Sequence, residues 1–239
     1  MNNLINKMAQ CLLAIGALLS FSAADVSGRA AGVLTWAIDP TDNVPKVLLG
    51  HRNYGNRTWA NMGGKQDKKD KNHDSVTAAR EVTEETLGLY NYRSNELFKS
   101  AALFREKNYS LYMPQKSSKY ISADLMNTWM KKQRNQRYVK VGNHTEHQIR
   151  DAYYDAKKKT LVANKHKHND NGWHKKEHSE FKWVPMIDLY KLAIGKKANL
   201  GKVRLMNYFL RSILRGNDGK KRNKVRDAMK CVLKQYKQI

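Results

Sequence analysis

The sequence predicts an α/β domain, and three observations lead to that prediction. Residues 30–38 and 46–51 are rich in strand-forming side chains and flank a polar turn. The stretch that ends at Gly88 has the spacing of an amphipathic helix. Two further amphipathic segments, residues 202–215 and 223–238, lie near the end of the chain. Strands combined with amphipathic helices favour a sheet covered by helices.

The composition allows a packed core and favours anionic partners. The chain has 239 residues, of which 41% are apolar, so one large domain is expected. Lys and Arg number 45 against 21 Asp and Glu, a formal net charge of +24. This imbalance favours nucleic acid, phosphorylated small molecules or an anionic membrane surface as partners. A solvated, lysine-rich surface is the alternative interpretation.

Residues 1–24 have the pattern of a secretory signal peptide. Lys7 provides the early positive charge, residues 11–24 form an apolar run, and small side chains at its end suit cleavage before Asp25. The run is short for a transmembrane helix. We therefore expect a secreted or periplasmic mature chain without a stable membrane span. An N-terminal helix packed on the domain is the alternative.

The first half of the remaining chain has a regular order of predicted elements. Residues 30–38 and 46–51 form a predicted hairpin, and paired glycines at Gly63 and Gly64 suit a tight turn. A helix follows, capped by Asp74 or Ser75. Val76, Ala79, Val82 and Thr83 are predicted to pack on the sheet, and Gly88 suits a left-handed C-terminal cap. Residues 97–106 and 109–114 predict two antiparallel strands.

The second half contains an insertion and a helical extension. Residues 115–178 are basic and poor in large apolar side chains, with a predicted helix at 123–133 and a helix or strand near 146–155. A strand at 180–184 is followed by Pro185, which suits the first turn of a helix. Residues 25–239 thus form a single predicted domain, with a C-terminal helical extension at about 196–239.

Three glutamates on the predicted helix indicate a metal site. Glu81, Glu84 and Glu85 are spaced i, i+3 and i+4 and therefore share a face. Like charges at this spacing destabilise an isolated helix by roughly a few tenths of a kcal/mol per pair. A divalent cation with oxygen ligands would offset that repulsion. A solvated acidic face is the alternative for an isolated triplet of this kind.

The stretch from Gly64 to Leu89 resembles the Nudix box, whose pattern is GX5EX7REUXEEXGU with U an aliphatic residue. The REUXEE core after paired glycines, in a strand context, makes the resemblance specific. The positions that match by residue type are Gly64, Arg80, Glu81, Val82, Glu84, Glu85, Gly88 and Leu89.

Two departures from the pattern are visible. Gly64 lies sixteen positions before Arg80 instead of fourteen, so the loop carries about two extra residues. Counted back from Arg80, the leading glutamate of the family falls at Asn72, or at Asp74 if the loop shifts. Leu87 is one additional residue between the paired glutamates and Gly88.

The flanking segments are also similar to the family. Residues 30–38 resemble its first strand, residues 58–65 resemble its Trp-x-x-Pro-Gly-Gly approach to the box, and residues 180–192 resemble its late strand–Pro–helix. The resemblance covers residues 30–192 apart from the insertion. It implies a Nudix-type α/β/α sandwich with a mixed sheet, to which the basic insertion and extra C-terminal helices are added.

The resemblance implies a pyrophosphohydrolase that uses Mg²⁺ or Mn²⁺ to cleave a diphosphate linkage in a nucleoside diphosphate derivative. ADP-ribose, dinucleoside polyphosphates and dinucleotide cofactors are the implied substrate types. Glu84 and Glu85 would be the principal metal ligands, with Glu81 as a ligand or as the group that deprotonates water. The Gly64 carbonyl would be a further ligand, and Arg80 would pair with a box glutamate and fix its rotamer.

The general base and any zinc site depend on less specific signals. Glu180 on the late strand is the predicted base, with Glu146 and Glu177 of the insertion as alternatives. Solvated histidines of a basic loop are favoured over a zinc site, because their spacing fits no closed site and no cysteine supports one. The histidines considered are His144, His147, His166, His168, His174 and His178.

Substrate recognition is expected to combine stacking and charge. Trp59, Tyr54 or Trp173 would stack on a base, whereas Trp36 and Trp183 are assigned to the core. The predicted phosphate-binding side chains are Arg52, Arg57 and Lys65. The basic insertion and residues 220–222 would contact a longer polyanion.

Two other functions are consistent with the sequence. The same chemistry could act on RNA 5′ ends or caps, which the positive charge and the insertion favour. A non-catalytic polyanion-binding module with the same fold is the other alternative, and an intact metal site argues against it.

Overall fold

The structure is a computed structural model of the chain. It describes residues 30–52, 58–71, 73–100, 102–106, 109–133, 138–141, 144–150, 152–155, 158–163, 173–175, 178–214 and 223–239. The strands are β1 (Ala30–Val33), β2 (Trp36–Ile38), β3 (Pro45–Arg52), β4 (Trp59–Ala60), β5 (Met62–Lys65), β6 (Ala102–Glu106), β7 (Tyr109–Met113), β8 (Tyr138–Val141), β9 (His144–Arg150), β10 (Ala152–Asp155), β11 (Thr160–Ala163), β12 (Trp173–Lys175) and β13 (His178–Pro185). The helices are α1 (Asp74–Glu85), α2 (Ser94–Ser100), α3 (Ala123–Gln133), α4 (Met186–Ala193), α5 (Asn207–Leu214) and α6 (Lys224–Gln235).

Two sheets form the centre of the domain, and one of them is mixed. Strands β5, β1, β7 and β6 lie in that order, with β1 antiparallel to β5 but parallel to β7. Strands β13, β3 and β2 form an antiparallel sheet, and β4 pairs with β3. The predicted α/β class with a mixed sheet is therefore confirmed, as is the hairpin of β2 and β3.

Alternating side chains of the strands supply two hydrophobic cores, one on each face. Val47 and Leu49 of β3 pack in the core beneath helices α4, α5 and α6. Leu48, between them, points to the opposite core, which includes Ala78 and Val82 of α1. This alternation follows from the pleat of a strand, in which successive side chains point to opposite faces. The sheets therefore lie between two layers of helices.

Several predicted boundaries differ from the structure. The strand predicted at 30–38 is interrupted at residues 34 and 35. The strand predicted at 97–106 begins as helix α2 and becomes β6 only at Ala102. In α2, Leu97 is buried whereas Phe98 is half exposed. The C-terminal helices are shorter than predicted, and Pro185 caps α4 instead of lying inside it.

The C-terminus of α1 differs from the predicted glycine cap. Leu87 is the first residue in the left-handed region, with a φ of 62°, and Gly88 follows at 75°. The amide of Gly88 donates to the carbonyl of Thr83 at 2.7 Å. The additional Leu87 therefore takes a conformation that normally favours glycine.

The basic insertion is attached to the domain by helix α3. The helix predicted at 123–133 is present at those bounds, and the region near 146–155 forms strands β9 and β10. Asn127 of α3 accepts from the amide of Phe181 at 2.7 Å and donates to its carbonyl at 3.0 Å. Met126, Trp129 and Met130 pack in the same core as α1. The insertion thus contributes apolar side chains to the core as well as a basic surface.

The predicted signal segment lies outside the described residues. None of the helices within the described ranges is long and apolar enough to cross a membrane.

Candidate functional site

The two glycines at the start of the site lie in strand β5, not in the tight turn that we predicted. Gly63 is opposite Gly32 of β1, and Gly64 is opposite Ala31. A Cβ on Gly63 would lie 2.6 Å from Cα of Gly32, and one on Gly64 would lie 2.4 Å from Oε2 of Glu81. Gly63 therefore needs glycine, because a Cβ there would meet the backbone of β1, whereas Gly64 brings the backbone of β5 against the carboxylate of Glu81.

The glutamates of α1 divide between the interior and the surface. Glu81 and Glu85 are buried, with 8% and 4% of their surface exposed, whereas the side chain of Glu84 is 35% exposed. The amide of Gly63 donates to Oε2 of Glu85 at 2.5 Å. The buried face of α1 thus includes two of the three acids. Of the apolar face that we predicted, Val82 is fully buried, and the other members are only partly buried.

Arg80 joins the acids of this site through one guanidinium group. Its Nη1 atom lies 2.8 Å from Oε1 of Glu81 and 3.0 Å from Oε2 of Glu84. Its Nη2 atom donates to the carbonyl of Lys65 at 2.9 Å. Burial by itself lowers the pKa of Arg80, but the hydrogen bond with Asp70 and the nearby glutamates outweigh it and raise that pKa. The guanidinium therefore offsets part of the glutamate repulsion and fixes two rotamers.

Asp70 is a site residue that sequence reasoning missed. Nε of Arg80 donates to its Oδ1 at 3.0 Å, and Nη2 donates to its Oδ2 at 2.8 Å. Asp70 lies six residues after Gly64, which is the GX5E spacing of the box, so counting forward from the glycine finds it. The two extra residues consequently lie between Asp70 and Arg80.

The two positions that we predicted for the leading acid have other outcomes. Asp74 is buried elsewhere, where it accepts from Oγ of Ser110 at 2.5 Å and lies 3.6 Å from Nη2 of Arg105. Asn72 lies outside the described residues.

Burial alone would raise the pKa of Asp70, but the hydrogen bonds and charge of Arg80 hold it below the usual value.

His178 is the second side chain that sequence reasoning did not place at the site. It is buried at the start of β13, and its Nδ1 atom lies 3.9 Å from Oε1 of Glu85. Burial, together with the nearby Arg52 and His51, lowers the pKa of His178 to about 3, so its imidazole is neutral at pH 7. The sequence offered one signal, namely its place at the edge of the late strand. The other histidines considered for zinc lie outside the described residues or in strands whose side chains are not described.

Glu180, the predicted base, lies on the same strand but is exposed. A register shift occurs between His178 and Glu180, and Phe181 returns to the core beside α1. Because neighbouring side chains alternate, Glu180 points away from that core. Its assignment as the base remains a prediction. Glu177 lies outside the described residues, and only the backbone of Glu146 is described.

The predicted substrate side chains are dispersed. Trp59 is only 8% exposed and packs in the core of α4 to α6, so it is not available to stack on a base. Arg52 is half-buried, with its Nη1 atom 3.6 Å from Sδ of Met206, and Lys65 is exposed. Trp36 and Trp183 lie in the cores, as expected.

Tyr54, Arg57 and Trp173 were the other predicted recognition residues. Tyr54 and Arg57 lie outside the described residues, and only the backbone of Trp173 is described.

The residues present fit a hard divalent cation. Carboxylate oxygens are the ligands that Mg²⁺ and Mn²⁺ prefer, and the glycine at position 64 brings the backbone beside Glu81. Across the described ranges, no three His, Cys, Asp or Glu side chains are grouped to hold an ion. An ion that also binds substrate phosphates needs only one or two carboxylates and keeps several waters. The buried pair Glu81 and Glu85 satisfies that smaller requirement.

Comparisons with known proteins gave structural likeness only. No known family profile and no curated protein sequence matches the chain. The fold is similar to a C. elegans Ap4A hydrolase in a binary complex, with 14% identity, coverage of 68% of this chain and 83% of the other, and a TM-score of 0.33. A MutT/nudix family protein from Enterococcus faecalis is 11% identical, with coverage of 95% of this chain and 80% of the other, and a TM-score of 0.41. The NUDIX domain of Shewanella oneidensis NrtR complexed with ADP ribose is 13% identical, with coverage of 82% of this chain and 91% of the other, and a TM-score of 0.36. Identities and TM-scores this low do not transfer a function, which must come from the site.

Proposed function

We propose that the protein is a divalent-metal-dependent pyrophosphohydrolase that cleaves a diphosphate linkage in a nucleoside diphosphate derivative. ADP-ribose, dinucleoside polyphosphates and dinucleotides are the substrate types to which the proposal applies. The observation that carries it is the pair of buried glutamates, Glu81 and Glu85, held against the glycines of β5. Arg80 holds the carboxylate of Glu81 and the amide of Gly63 holds that of Glu85, so both acids are fixed beside the backbone of β5, and this placement favours a binding site over a solvated face.

The proposal gives each residue of the site a role. Glu81, Glu84, Glu85 and the Gly64 carbonyl would hold Mg²⁺ or Mn²⁺, which neutralises the diphosphate and lowers the pKa of a bound water. Arg80 fixes Glu81 and Glu84 through the ion pairs described above, and Asp70 holds the guanidinium in place. Lys65, which is exposed, and Arg52, which is half-buried, are the candidate phosphate contacts. Glu180 is the proposed general base.

Substitution of the glutamates tests the proposal. The purified protein is assayed with ADP-ribose, Ap4A and NADH in the presence of Mg²⁺ or Mn²⁺. We expect Glu84→Gln and Glu85→Gln each to lower kcat roughly a hundredfold or more while circular dichroism is unchanged, because charge stabilisation of the reaction is lost. Glu96→Gln, at an exposed acid of α2, is the matched control, and Glu180→Gln tests the base assignment. Unchanged rates in both Glu84→Gln and Glu85→Gln would show that the proposal is wrong.

Action on RNA 5′ ends or caps is a second candidate. The formal net charge of +24 favours it, because each phosphate contact by Lys or Arg strengthens binding to a long polyanion. A small diphosphate substrate does not require so large a charge. The two candidates share the chemistry of the site and differ in the length of the substrate.

The N-terminal segment leads to a proposal about location. The pattern of residues 1–24 supports secretion or periplasmic export of a chain that begins at Asp25. N-terminal sequencing of the protein from the medium, the periplasm and the cytoplasm tests this. Recovery only of the uncleaved chain in the cytoplasm would contradict it.

A further inference from the structure

The imidazole of His178 is buried at the edge of the site without a hydrogen-bond partner in the described part of the chain. Its side chain is 1% exposed, and neither ring nitrogen forms a hydrogen bond with any described residue. A buried polar group without a partner is costly, so such groups in native proteins usually bind water or an ion. The imidazole is therefore a candidate ligand and not a simple core side chain.

The surrounding chain makes room for this imidazole. A Cβ on Gly50 of β3 would lie 2.3 Å from Cδ2 of His178 and 2.7 Å from its Nε2. Phe181 packs beside the ring, with the two centroids 5.9 Å apart. The ring of His178 is thus fixed between Gly50 of β3 and Phe181 of β13. Its Nδ1 atom points towards Glu85.

The separation of the two facing atoms suits a shared cation. Nδ1 of His178 and Oε1 of Glu85 are 3.9 Å apart, which is too far for a hydrogen bond. Two atoms that bind one ion at about 2.1 Å each can be up to about 4.2 Å apart. The other oxygen of Glu85 accepts from the amide of Gly63, which fixes the carboxylate with Oε1 towards the histidine.

We propose that Nδ1 of His178 and Oε1 of Glu85 are ligands of the same divalent cation, and that the nitrogen ligand makes this position prefer Mn²⁺ over Mg²⁺. The inference rests on the proposed function, since it adds a ligand to that metal site. Mg²⁺ selects oxygen ligands, whereas transition-metal ions also accept imidazole. Waters and substrate phosphates complete the coordination shell.

Pulsed electron paramagnetic resonance of Mn²⁺ bound to the full-length protein tests the nitrogen ligand directly. We expect a ¹⁴N coupling of a directly bound nitrogen, which is replaced by a ¹⁵N coupling when the protein is labelled with ¹⁵N-histidine. This comparison needs no substitution, so it does not depend on whether a variant folds. Mn²⁺ bound without any histidine nitrogen coupling would overturn the inference and leave the proposed function intact.

Two substitutions identify which histidine is responsible. We expect His178→Asn to remove the coupling and to weaken Mn²⁺ binding about tenfold or more, with a much smaller effect on Mg²⁺ binding. His51→Asn, at the half-buried neighbour that contacts Oγ of Ser179 at 2.8 Å, is the matched control and should keep the coupling. If the coupling persists in His178→Asn, the inference is wrong. If the wild-type protein binds no Mn²⁺ at all, both the inference and the proposed metal dependence fail.

Discussion

At the scale of single residues, the guanidinium of Arg80 holds several carboxylates of the site in place. Within the described part of the chain, Arg80 meets the carboxylates of Asp70, Glu81 and Glu84. Arginine suits this role because its planar group presents several donors in fixed directions and stays charged. Glu85 lies apart from these contacts, beside His178. Arg80 therefore fixes Glu81 and Glu84, whereas the amide of Gly63 fixes Glu85.

Replacement of Asp70 by asparagine should cost stability in a way that depends on pH. The side chain of Asp70 is 1% exposed, and loss of a buried ion-pair partner typically costs roughly 3 kcal/mol. The pKa of Asp70 is lower in the folded protein, so its charge stabilises the fold above a pH of about 4 and this contribution is lost as the pH falls through the folded value. We expect Asp70→Asn to lower the unfolding free energy at neutral pH and to flatten its acid dependence.

Urea unfolding between about pH 3 and 7 measures this effect. Asp124→Asn, at an exposed acid in the first turn of α3, is the control and should change stability by less than about 0.5 kcal/mol. Equal losses in Asp70→Asn and Asp124→Asn would contradict the role that we assign to the Asp70–Arg80 pair.

Trp59 and Asp70 were misjudged from the sequence for two different reasons. Trp59 was expected to stack on a substrate, but its side chain is buried, and its ring centroid lies 5.0 Å from that of His51 on the paired strand β3. Asp70 was missed because the count began at Arg80, and the extra residues lie between the two. Motif spacing predicts which residues share a helix face, as it did for Glu81 and Glu85. It does not predict which face a strand presents to the core.

At the scale of elements, the accuracy of the predictions followed how much of an element is determined locally. Helix α3 was predicted at its observed bounds, because its apolar spacing and polar ends are both visible in the sequence. Residues 97–100 of helix α2 were predicted as part of a strand, since a helix of seven residues is too short to show a helical period. Its identity is decided by tertiary contacts such as the burial of Leu97. Short elements around the site therefore required the structure.

The end of helix α1 provides a test at this scale. Leu87 is buried but has a φ of 62°, a region that costs a residue with a Cβ about 1 kcal/mol or more. Leu87→Ala and Leu87→Gly both remove the buried side chain, and each should cost roughly 2 kcal/mol or more. Only glycine also relieves the backbone. We therefore expect Leu87→Gly to be more stable than Leu87→Ala by about 1 kcal/mol, as measured by urea unfolding.

The opposite order is expected one turn earlier. At Thr83, inside α1, the alanine variant should be more stable than the glycine variant by about 1 kcal/mol. If alanine is the more stable replacement at both positions, the left-handed conformation of Leu87 is not what the protein adopts in solution.

At the scale of the whole molecule, the site and the rest of the chain carry opposite charge. The formal net charge is +24, yet the face of α1 at the site carries a group of carboxylates. A positive field increases the rate at which anionic substrates arrive, whereas the carboxylates repel them at close range. A bound cation reconciles the two, because it reverses the local charge where the diphosphate must lie. The charge of the molecule and the acids of the site are thus consistent with one anionic substrate.

The salt dependence of turnover separates a short substrate from a long one. A protein that contacts about six phosphates of a single strand loses affinity roughly 300-fold between about 50 and 200 mM salt, whereas a small diphosphate makes too few contacts for such a loss. If RNA 5′ ends are the substrate, kcat/KM for a capped or triphosphorylated RNA should fall by at least about tenfold over this range, while that for ADP-ribose changes much less. Replacement of Lys220, Lys221 and Arg222 by alanine should reduce the salt dependence for RNA. The matched replacement of the exposed Lys230, Lys234 and Lys237 should reduce it less, because these side chains are spread along helix α6 and the turn that follows it instead of adjacent in the chain. If kcat/KM depends weakly and equally on salt for both substrates, RNA is excluded as the substrate and the small diphosphate remains. The net charge of the protein would then affect only the rate at which enzyme and substrate meet.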